Sequence, residues 1–341
     1  MDQENTDRPA FLITIDTEGD NLWSRPRDIE TQNSQYLPRF QSLCERFGFK
    51  PTWLTNHEMV NCNVFAEFAL DTIKRNTAEV GMHLHAWNSP PMVPLTTDEY
   101  HHQPFLIEYP RQVMADKIAQ LTDRLRERFG CRIASHRAGR WAMNETYVEL
   151  LVTQGYQVDC SVTPFVSWKG MTGAPQGSGG IDYSNFPSSP YKMAADDISR
   201  PSDKGMLQVP MTIHPIERNG LSARLTNSLT RTPIRPARRI FNYLLPQVAW
   251  LRPNGRNRSQ MIQTVQRAQQ RGANYVEFML HSSELMPGGS PRFPTERTIE
   301  KLYDDLEALF EAAHPAFRGL TLAEFADYQL NHEKYSEPRL Y

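Results

Sequence analysis

The sequence contains few cysteines, and they are widely spaced. Cys44, Cys62, Cys131 and Cys160 form neither a C-x-x-C pair nor a dense pattern. This spacing excludes a small fold held together by disulfides. It favours reduced thiols, as expected of a cytoplasmic protein.

Long apolar runs are also missing. No stretch approaches the length needed to cross a membrane. The N-terminal residues MDQENTDRPAFLITID are acidic and polar before the first apolar run, unlike a secretory signal. No G-x-G-x-x-G pattern follows the first predicted strand, so nothing favours a dinucleotide-binding fold. We therefore expect a cytoplasmic chain without a transmembrane segment.

Acidic residues are absent between residues 218 and 276, although the whole chain carries a net charge of −2. The same region holds eleven arginines: Arg218, Arg224, Arg231, Arg235, Arg238, Arg239, Arg252, Arg256, Arg258, Arg267 and Arg271. This segregation predicts an arginine-rich insertion, at about 214–258, that faces an anionic lipid, a lipid-linked sugar phosphate or an acidic polysaccharide. The alternative is a solvated insertion that pairs with acidic neighbours elsewhere. No nucleic-acid recognition motif accompanies the arginines, so we expect no nucleic-acid partner.

The overall composition is that of a folded globular chain. It has 341 residues, of which 39% are hydrophobic and 22% are charged. This balance supports a real core, and the length suits one α/β barrel. We expect a single domain over residues 1–341.

Strand-like apolar runs alternate with helix-like segments along the chain. The predicted strands are AFLITID (10–16), PTWLTN (51–56), EVGMHLH (79–85), CRIASHRAG (131–139), YQVDCSV (156–162), LQVPMTI (207–213) and NYVEFMLHS (274–282). The predicted helices cover about 34–47, 64–76, 111–130, 144–155, 259–272 and 295–313, and a short strand and a helix close the chain at 317–329. The alternation predicts a parallel sheet, in a (β/α) barrel or an open doubly wound fold. Residues 164–205 and the arginine-rich region are predicted to be long loop insertions.

Polar and charged residues gather at the carboxyl ends of the predicted strands. They are Asp16, Glu18, His83, His85, Arg137, Asp159 and His281. The carboxyl ends of parallel strands form one mouth, so residues far apart in the sequence are expected to meet there.

Two of these residues, His83 and His85, are one residue apart in an otherwise apolar strand. On a strand, residues i and i+2 face the same side at a separation of about 7 Å, so both imidazoles can bind one metal ion. The carboxylate of Glu18 or Asp16 would complete a His₂-carboxylate site with open positions for water and substrate. The alternative is that both histidines only form hydrogen bonds in a tight interior.

The remaining strand-end residues suggest acid and base roles. Of Asp16 and Glu18, one can bind the metal while the other takes a proton from the attacking water. Arg137 can lie beside that base and keep it ionised. His281 can protonate a leaving group, and Asp159 can orient His281 or Arg137. The alternative for Asp159 is a hydrogen-bonded aspartate in the core.

Four motifs, in this order, resemble those of the polysaccharide deacetylase family, carbohydrate esterase family four. They are the acidic motif TIDTEGD, the histidine motif EVGMHLHAW, the arginine and glycine motif HRAGRW, and the late histidine motif MLHSS. The resemblance covers roughly residues 9–327 and excludes the arginine-rich insertion. It implies a distorted (β/α)7 barrel with long loop insertions.

The resemblance also implies an activity and a set of site residues. Members of the family use a metal to remove an acyl group from an amide or ester on a sugar. The implied base is Asp16, and the implied ligands of one divalent ion, Zn²⁺ or another transition metal, are Glu18, His83 and His85. Common members have adjacent aspartates in the first motif and a four-residue histidine spacing, whereas this chain has Asp-Thr-Glu and the closer pair.

The expected function is therefore the removal of an acyl group, in the first place N-acetyl, from a sugar of a surface polysaccharide or lipid-linked glycan. The HLHAW and RAGRW segments are most similar to bacterial deacetylase-like proteins of surface polysaccharide and lipopolysaccharide assembly. This suits a cytoplasmic chain that is peripheral at the inner face of the membrane. Trp87, Trp141 and Tyr183 are candidates for stacking on a sugar ring, or else core aromatics. The alternatives are a non-catalytic carbohydrate-binding barrel and a related amidase acting on a non-sugar amide.

Overall fold

The computed structural model describes residues 8–216 and 247–332. Its strands, β1 to β12, are Ala10–Thr17, Pro51–Thr55, Glu79–Leu84, Ser135–Ala138, Val158–Asp159, Tyr191–Ala194, Asp197–Ser202, Leu207–Gln208, Ile213–Pro215, Val248–Trp250, Tyr275–His281 and Arg318–Leu320. Its α-helices, α1 to α9, are Leu37–Arg46, His57–Asn61, Asn63–Lys74, Glu99–His102, Arg111–Phe129, Glu145–Thr153, Arg258–Gln270, Glu296–Ala313 and Leu322–His332.

Parallel strands form the centre of the fold, in the order β11-β1-β2-β3-β4-β5-β8. Helices pack around this curved sheet, and the short β12 pairs in parallel with the start of β1. The antiparallel hairpin of β6 and β7 extends the sheet beyond β8. These features confirm the predicted α/β class and the distorted (β/α)7 barrel with long loop insertions.

The barrel is open between β8 and β11, which do not pair within the described ranges. Residues 210–212 and Leu251 bridge this gap through individual hydrogen bonds. The Tyr275 hydroxyl donates to the Pro210 carbonyl (2.5 Å), and the Glu277 amide donates to Thr212 Oγ1 (2.8 Å). The Met279 amide donates to the Leu251 carbonyl (3.3 Å). This contact brings the segment after β10 against the end of β11.

Sequence signals account for most of the element boundaries. Every residue of β1 is buried, as expected for a parallel strand covered on both faces. Helix α5 ends at Gly130, whose positive φ of 61° favours glycine. Helix α6 begins after Asn144, whose side chain accepts a hydrogen bond from the Tyr147 amide (2.9 Å). Both of these helix boundaries match the predicted ones.

The structure describes the whole of one predicted insertion and only the ends of the other. The insertion at 164–205 contains the hairpin of β6 and β7. The arginine-rich insertion at about 214–258 falls largely on residues 217–246, which lie outside the described residues; β9 and β10 flank them and pair with each other. All four cysteines are unpaired. None of the helices within 8–216 and 247–332 is both long and apolar enough to cross a membrane.

Candidate active site and metal centre

The register of the parallel strands brings the predicted polar residues together at one end of the barrel. In the pairing of β1 with β11, Asp16 lies beside His281. In the pairing of β3 with β4, His83 lies beside Arg137. Asp16 and Arg137, which are 121 positions apart in the chain, form an ion pair. The expected convergence at the mouth is therefore present.

Glu18, His83 and His85 form a buried cluster whose ligand atoms lie within 4.8 Å of one another. The Nε2 atoms of the two imidazoles are 2.9 Å apart. Glu18 Oε2 lies 3.7 Å from His83 Nε2 and 3.4 Å from His85 Nε2. Two imidazole nitrogens and one carboxylate oxygen are a ligand set typical of catalytic zinc sites.

His83 is oriented as a metal ligand would be. Its Nδ1 lies 3.0 Å from the backbone carbonyl of Arg137, so Nδ1 carries the proton and donates it. The Nε2 atom is then directed at His85 and Glu18, as is usual for a ligand histidine held by a carbonyl behind it. Burial alone would lower the pKa of His83, but the carboxylates of Asp16 and Glu18 raise it. The site thus stabilises a positive charge at this point, which a bound cation would supply.

His85 is fixed by packing rather than by a second hydrogen bond. Its ring stacks on Trp87 with 4.3 Å between ring centroids. Burial and the neighbouring His83 hold the pKa of His85 well below its usual range, so the ring is neutral, as metal binding requires. Gly139 makes room for it, because a Cβ at that position would overlap the His85 ring and the Leu84 carbonyl. The cluster therefore fits a divalent transition metal.

Asp16 is paired with a guanidinium that is completely buried. Arg137 Nη1 donates to Asp16 Oδ1 (2.6 Å), and its Nη2 donates to Thr14 Oγ1 and Glu277 Oε1 (2.6 Å each). Its Nε donates to the Cys160 carbonyl (3.2 Å). These contacts satisfy every nitrogen of the guanidinium, so Arg137 is fixed in position.

The charge of Asp16 is strongly favoured. Burial alone would raise its pKa, but Arg137 together with the imidazoles of His83 and His281 holds it well below its usual range. Glu277, which shares Arg137, behaves differently: burial raises its pKa to about 7 in spite of the guanidinium. Of the two carboxylates, Asp16 is thus the one that stays anionic and able to accept a proton.

His281 lies beside Asp16 at the end of β11. Its Nε2 is 3.6 Å from Asp16 Oδ2 and 3.9 Å from Glu18 Oε1. Its Nδ1 is 3.2 Å from Glu284 Oε2, and the same Glu284 oxygen accepts from the His281 amide (2.9 Å). The ring of the exposed Trp23 lies 4.9 Å from it. His281 therefore has Nε2 directed at the reaction centre, and its Nδ1 lies between Glu284 and the guanidinium of Arg252, whose Nη2 is 2.9 Å away.

Asp159 does not contact Arg137 or His281, which sequence reasoning proposed as its partners. In the pairing of β4 with β5, Asp159 lies beside His136, not Arg137. Its carboxylate contacts His136 Nδ1 (2.6 Å) and accepts from the amide and hydroxyl of Ser161 (2.7 and 2.8 Å). Because successive side chains on a strand face opposite sides, Asp159 points away from the mouth. The geometry corresponds to the alternative of a hydrogen-bonded core aspartate.

The three aromatic candidates for sugar stacking differ in position. Tyr183 is fully buried, and its hydroxyl donates to the Trp141 carbonyl (2.5 Å). Trp87 is also buried, behind His85. Trp141 is partly exposed and lies 5.0 Å from the Arg137 guanidinium, so it alone of the three has a face near the mouth. Trp23, which was not a candidate from the sequence, has its ring centroid 4.9 Å from that of His281.

Further residues of the site were not predicted from the sequence. Glu284 is fully buried behind His281, and its position three residues later in HSSE matches the spacing of a capping box. Glu277 is a lone charge within the apolar strand YVEFML. Glu58 accepts from the Gly19 amide (3.3 Å), and burial together with the charge of Glu18 raises its pKa to about 7. All three carboxylates lie close to the predicted site, and of the three only Glu284 has its pKa held below the usual range.

Comparisons with solved structures support the fold. A proposed glycoside hydrolase/deacetylase from Parabacteroides distasonis is similar over 98% of this chain and 74% of its own, with 10% identity and a TM-score of 0.60. A proposed polysaccharide deacetylase from Mycobacterium smegmatis matches over 98% and 94%, with 13% identity and a TM-score of 0.49. A pseudoenzyme of carbohydrate esterase family four from Bacillus anthracis matches over 95% and 67%, with 12% identity and a TM-score of 0.43.

The Parabacteroides distasonis match confirms, at the level of the fold, the resemblance predicted from the sequence motifs. At such low identity only the fold is shown, and the first of the three carries that conclusion. No protein-family model matches the sequence. No curated protein sequence matches it either.

Proposed function

We propose that this chain is a metal-dependent hydrolase that removes an acyl group, in the first place N-acetyl, from a sugar of a surface polysaccharide or lipid-linked glycan. The observation that supports this most is the position of Asp16. It is an anionic carboxylate 2.6 Å from a buried guanidinium, between the Glu18, His83 and His85 cluster and His281. The proposed base, the proposed metal ligands and the proposed acid thus lie at one mouth.

Each of the site residues has a distinct role in the proposed reaction. A divalent metal, zinc first among the candidates, would supply Lewis acidity at the Glu18, His83 and His85 cluster. Asp16 accepts a proton from the attacking water, and Arg137 keeps Asp16 ionised beforehand. A carbon–oxygen bond forms, the amide carbon–nitrogen bond breaks, and His281 Nε2 gives a proton to the departing amine.

The setting of the reaction is part of the same proposal. The motif resemblance favours lipopolysaccharide or related polysaccharide assembly, on a cytoplasmic chain that is peripheral at the inner face of the membrane. The arginine-rich region would contact anionic lipid or a lipid-linked sugar. The name of the Parabacteroides distasonis protein, a glycoside hydrolase/deacetylase, also points to carbohydrate chemistry.

The test is metal content together with acetate release. We expect about one divalent ion per chain by elemental analysis, and release of acetate from N-acetylated sugars by the loaded protein. Asp16→Asn should keep the metal and lose most of the turnover, about 10²-fold or more. Metal without turnover on any acylated sugar or amide would favour the carbohydrate-binding barrel, and turnover only on non-sugar amides would favour the amidase.

A further inference from the structure

The segment after β10 places an arginine directly behind the proposed acid. Arg252 Nη2 lies 2.9 Å from His281 Nδ1 and 3.3 Å from Glu284 Oε2. Its backbone carbonyl accepts from Asn257 Nδ2 (2.8 Å), and the preceding Leu251 donates its amide to the Thr212 carbonyl (3.0 Å). Arg252 is therefore anchored beside His281, with 13% of its side chain exposed.

A second arginine shares the same carboxylate. Arg292 Nη1 lies 3.3 Å from Glu284 Oε1, and 42% of its side chain is exposed. Two guanidinium groups thus face one buried carboxylate, which leaves a local charge of +1. This charge lies behind His281, on the Nδ1 side of the ring, whereas the carboxylates of Asp16 and Glu18 lie on its Nε2 side.

These arginines have hydrogen-bonding capacity left over. Their contacts with Glu284 are 3.3 to 3.4 Å long, whereas Arg137 contacts Asp16 and Glu277 at 2.6 Å. Within the described residues Arg292 donates only from Nη1, to Glu284 Oε1, and much of its side chain is exposed. A guanidinium has five N–H donors arranged to bind planar carboxylates and phosphates. An anion that reached this point would find free donors and uncompensated charge.

We propose that Arg252 and Arg292 form an anion-binding subsite beside His281, and that the substrate is an acidic sugar whose carboxylate or phosphate group binds there. The inference rests on the proposed deacetylase function, since His281 relates the subsite to the departing amine. His281 Nε2 faces Asp16 and His281 Nδ1 faces Arg252, so an anionic group bound at the arginines would lie close to the sugar unit whose acyl group is removed. The exposed Trp23 contacts the ring of His281 beside this subsite.

Direct binding to the metal-loaded protein tests the subsite without turnover. The probes are glucuronate, glucose 6-phosphate and neutral glucose, measured by titration calorimetry. We expect at least one charged probe to bind roughly tenfold more tightly than glucose, and the difference to shrink as salt screens it. Arg292→Gln should abolish the difference. Arg258→Met, which removes an exposed arginine six positions beyond Arg252, should preserve it.

The outcomes separate this inference from the proposed function. A preference for glucuronate identifies a uronate, and a preference for the phosphate identifies a phosphorylated sugar. If the charged probes bind but no acylated sugar is hydrolysed, the subsite stands and the hydrolase proposal fails. If neutral and acidic N-acetyl sugars are hydrolysed with the same KM and Arg292→Gln changes neither, the subsite is overturned while the hydrolase proposal survives. Equal binding of all three probes also overturns it.

Discussion

The two sides of the site are built differently. On the side of β3 and β4, the side chains of His83, His85 and Arg137 are 3%, 6% and 0% exposed, and backbone groups, ion pairs or aromatic packing fix them. On the side of β11, His281 and Arg252 are 14% and 13% exposed, and a single buried carboxylate holds them. The side chains of the first side, called the closed side, are buried and fixed without a substrate. Those of the second side, called the open side, are partly accessible to a substrate.

This difference matches the division of labour in the proposed reaction. A metal cluster and an anionic base require fixed geometry and little water, because electrostatic interactions strengthen as the surroundings become less polar. A proton donor must contact the leaving group, and a specificity subsite must contact the rest of the substrate. Variants on the closed side should therefore affect the metal and the chemical step, and variants on the open side should affect acid function and substrate choice.

The largest expected effect is on the closed side. His83→Ala removes one of two imidazoles from the cluster, so bound metal should fall from about one ion per chain to near zero, and turnover should fall at least about 10³-fold. The measurement is elemental analysis combined with acetate release. His101→Ala, at an exposed position of α4, is the matched control and should keep both. If His83→Ala kept its metal, His83 would not be a metal ligand and would only form hydrogen bonds in the interior.

The second prediction concerns the packing of the closed side. Gly139→Ala places a Cβ against the His85 ring and the Leu84 carbonyl, so His85 must move. Metal affinity should fall by about 10-fold to 100-fold, as measured by competition with a chelator. Gly170→Ala is the control, because a Cβ there meets no atom within 4 Å. Equal affinities of the two variants would show that the position of His85 does not matter for the metal.

The third prediction moves to the open side. Glu284→Gln removes the charge that holds His281 Nδ1, Arg252 and Arg292, so kcat should fall about tenfold while metal content stays unchanged. The loss of one partner from a buried ion cluster should also lower the free energy of unfolding by about 3 kcal/mol at neutral pH. Metal loss in this variant would contradict the separation of the two sides.

The pH dependence of stability provides a second measure of Glu284. Burial would raise its pKa, but Arg252, the hydrogen bond to His281 and Arg292 hold it below the usual range. A depressed folded-state pKa stabilises the protein above the unfolded value of about 4.3, and this contribution disappears as the pH falls through the folded value. Chemical denaturation should therefore show that the stability gap between wild type and Glu284→Gln narrows below about pH 4.

The fold was largely predictable because apolar periodicity and helix-end signals such as Gly130 and Asn144 are local. The strand-end rule also predicted the convergence of Asp16, His83 and His281, since it depends only on parallel topology. The rule does not specify which face a side chain occupies in a short irregular strand. Asp159 was therefore assigned to the mouth, although its register beside His136 directs it away.

The remaining residues depend on contacts that no local pattern encodes. Glu284 contacts His281 because the chain turns directly after β11. Arg252, which follows β10 at the gap between β8 and β11, contacts both His281 and Glu284. Gly139 is needed only because the His85 ring from another strand occupies the adjacent space. Long-range packing of this kind determines the positions of Glu284, Arg252 and Gly139, so the sequence alone did not indicate their roles.

The smallest expected effect separates the two carboxylates that share Arg137. Burial raises the pKa of Glu277 to about 7, so its ionised form is disfavoured in the folded protein. A carboxylate with a raised folded-state pKa stabilises the fold fully below its unfolded value of about 4.3 and loses that contribution as the pH rises through about 7.

The variant Glu277→Gln cannot ionise at this position. The free energy of unfolding of Glu277→Gln, relative to that of wild type, should therefore increase by about 1 kcal/mol per pH unit between about pH 5 and pH 7. Above about pH 7 the difference should level off. Denaturant titrations across this range measure the slope, and metal content should stay the same, because Asp16 retains Arg137. An unchanged difference between the two proteins over this range would mean that Arg137 keeps both carboxylates ionised, and the distinction between Asp16 and Glu277 would be lost.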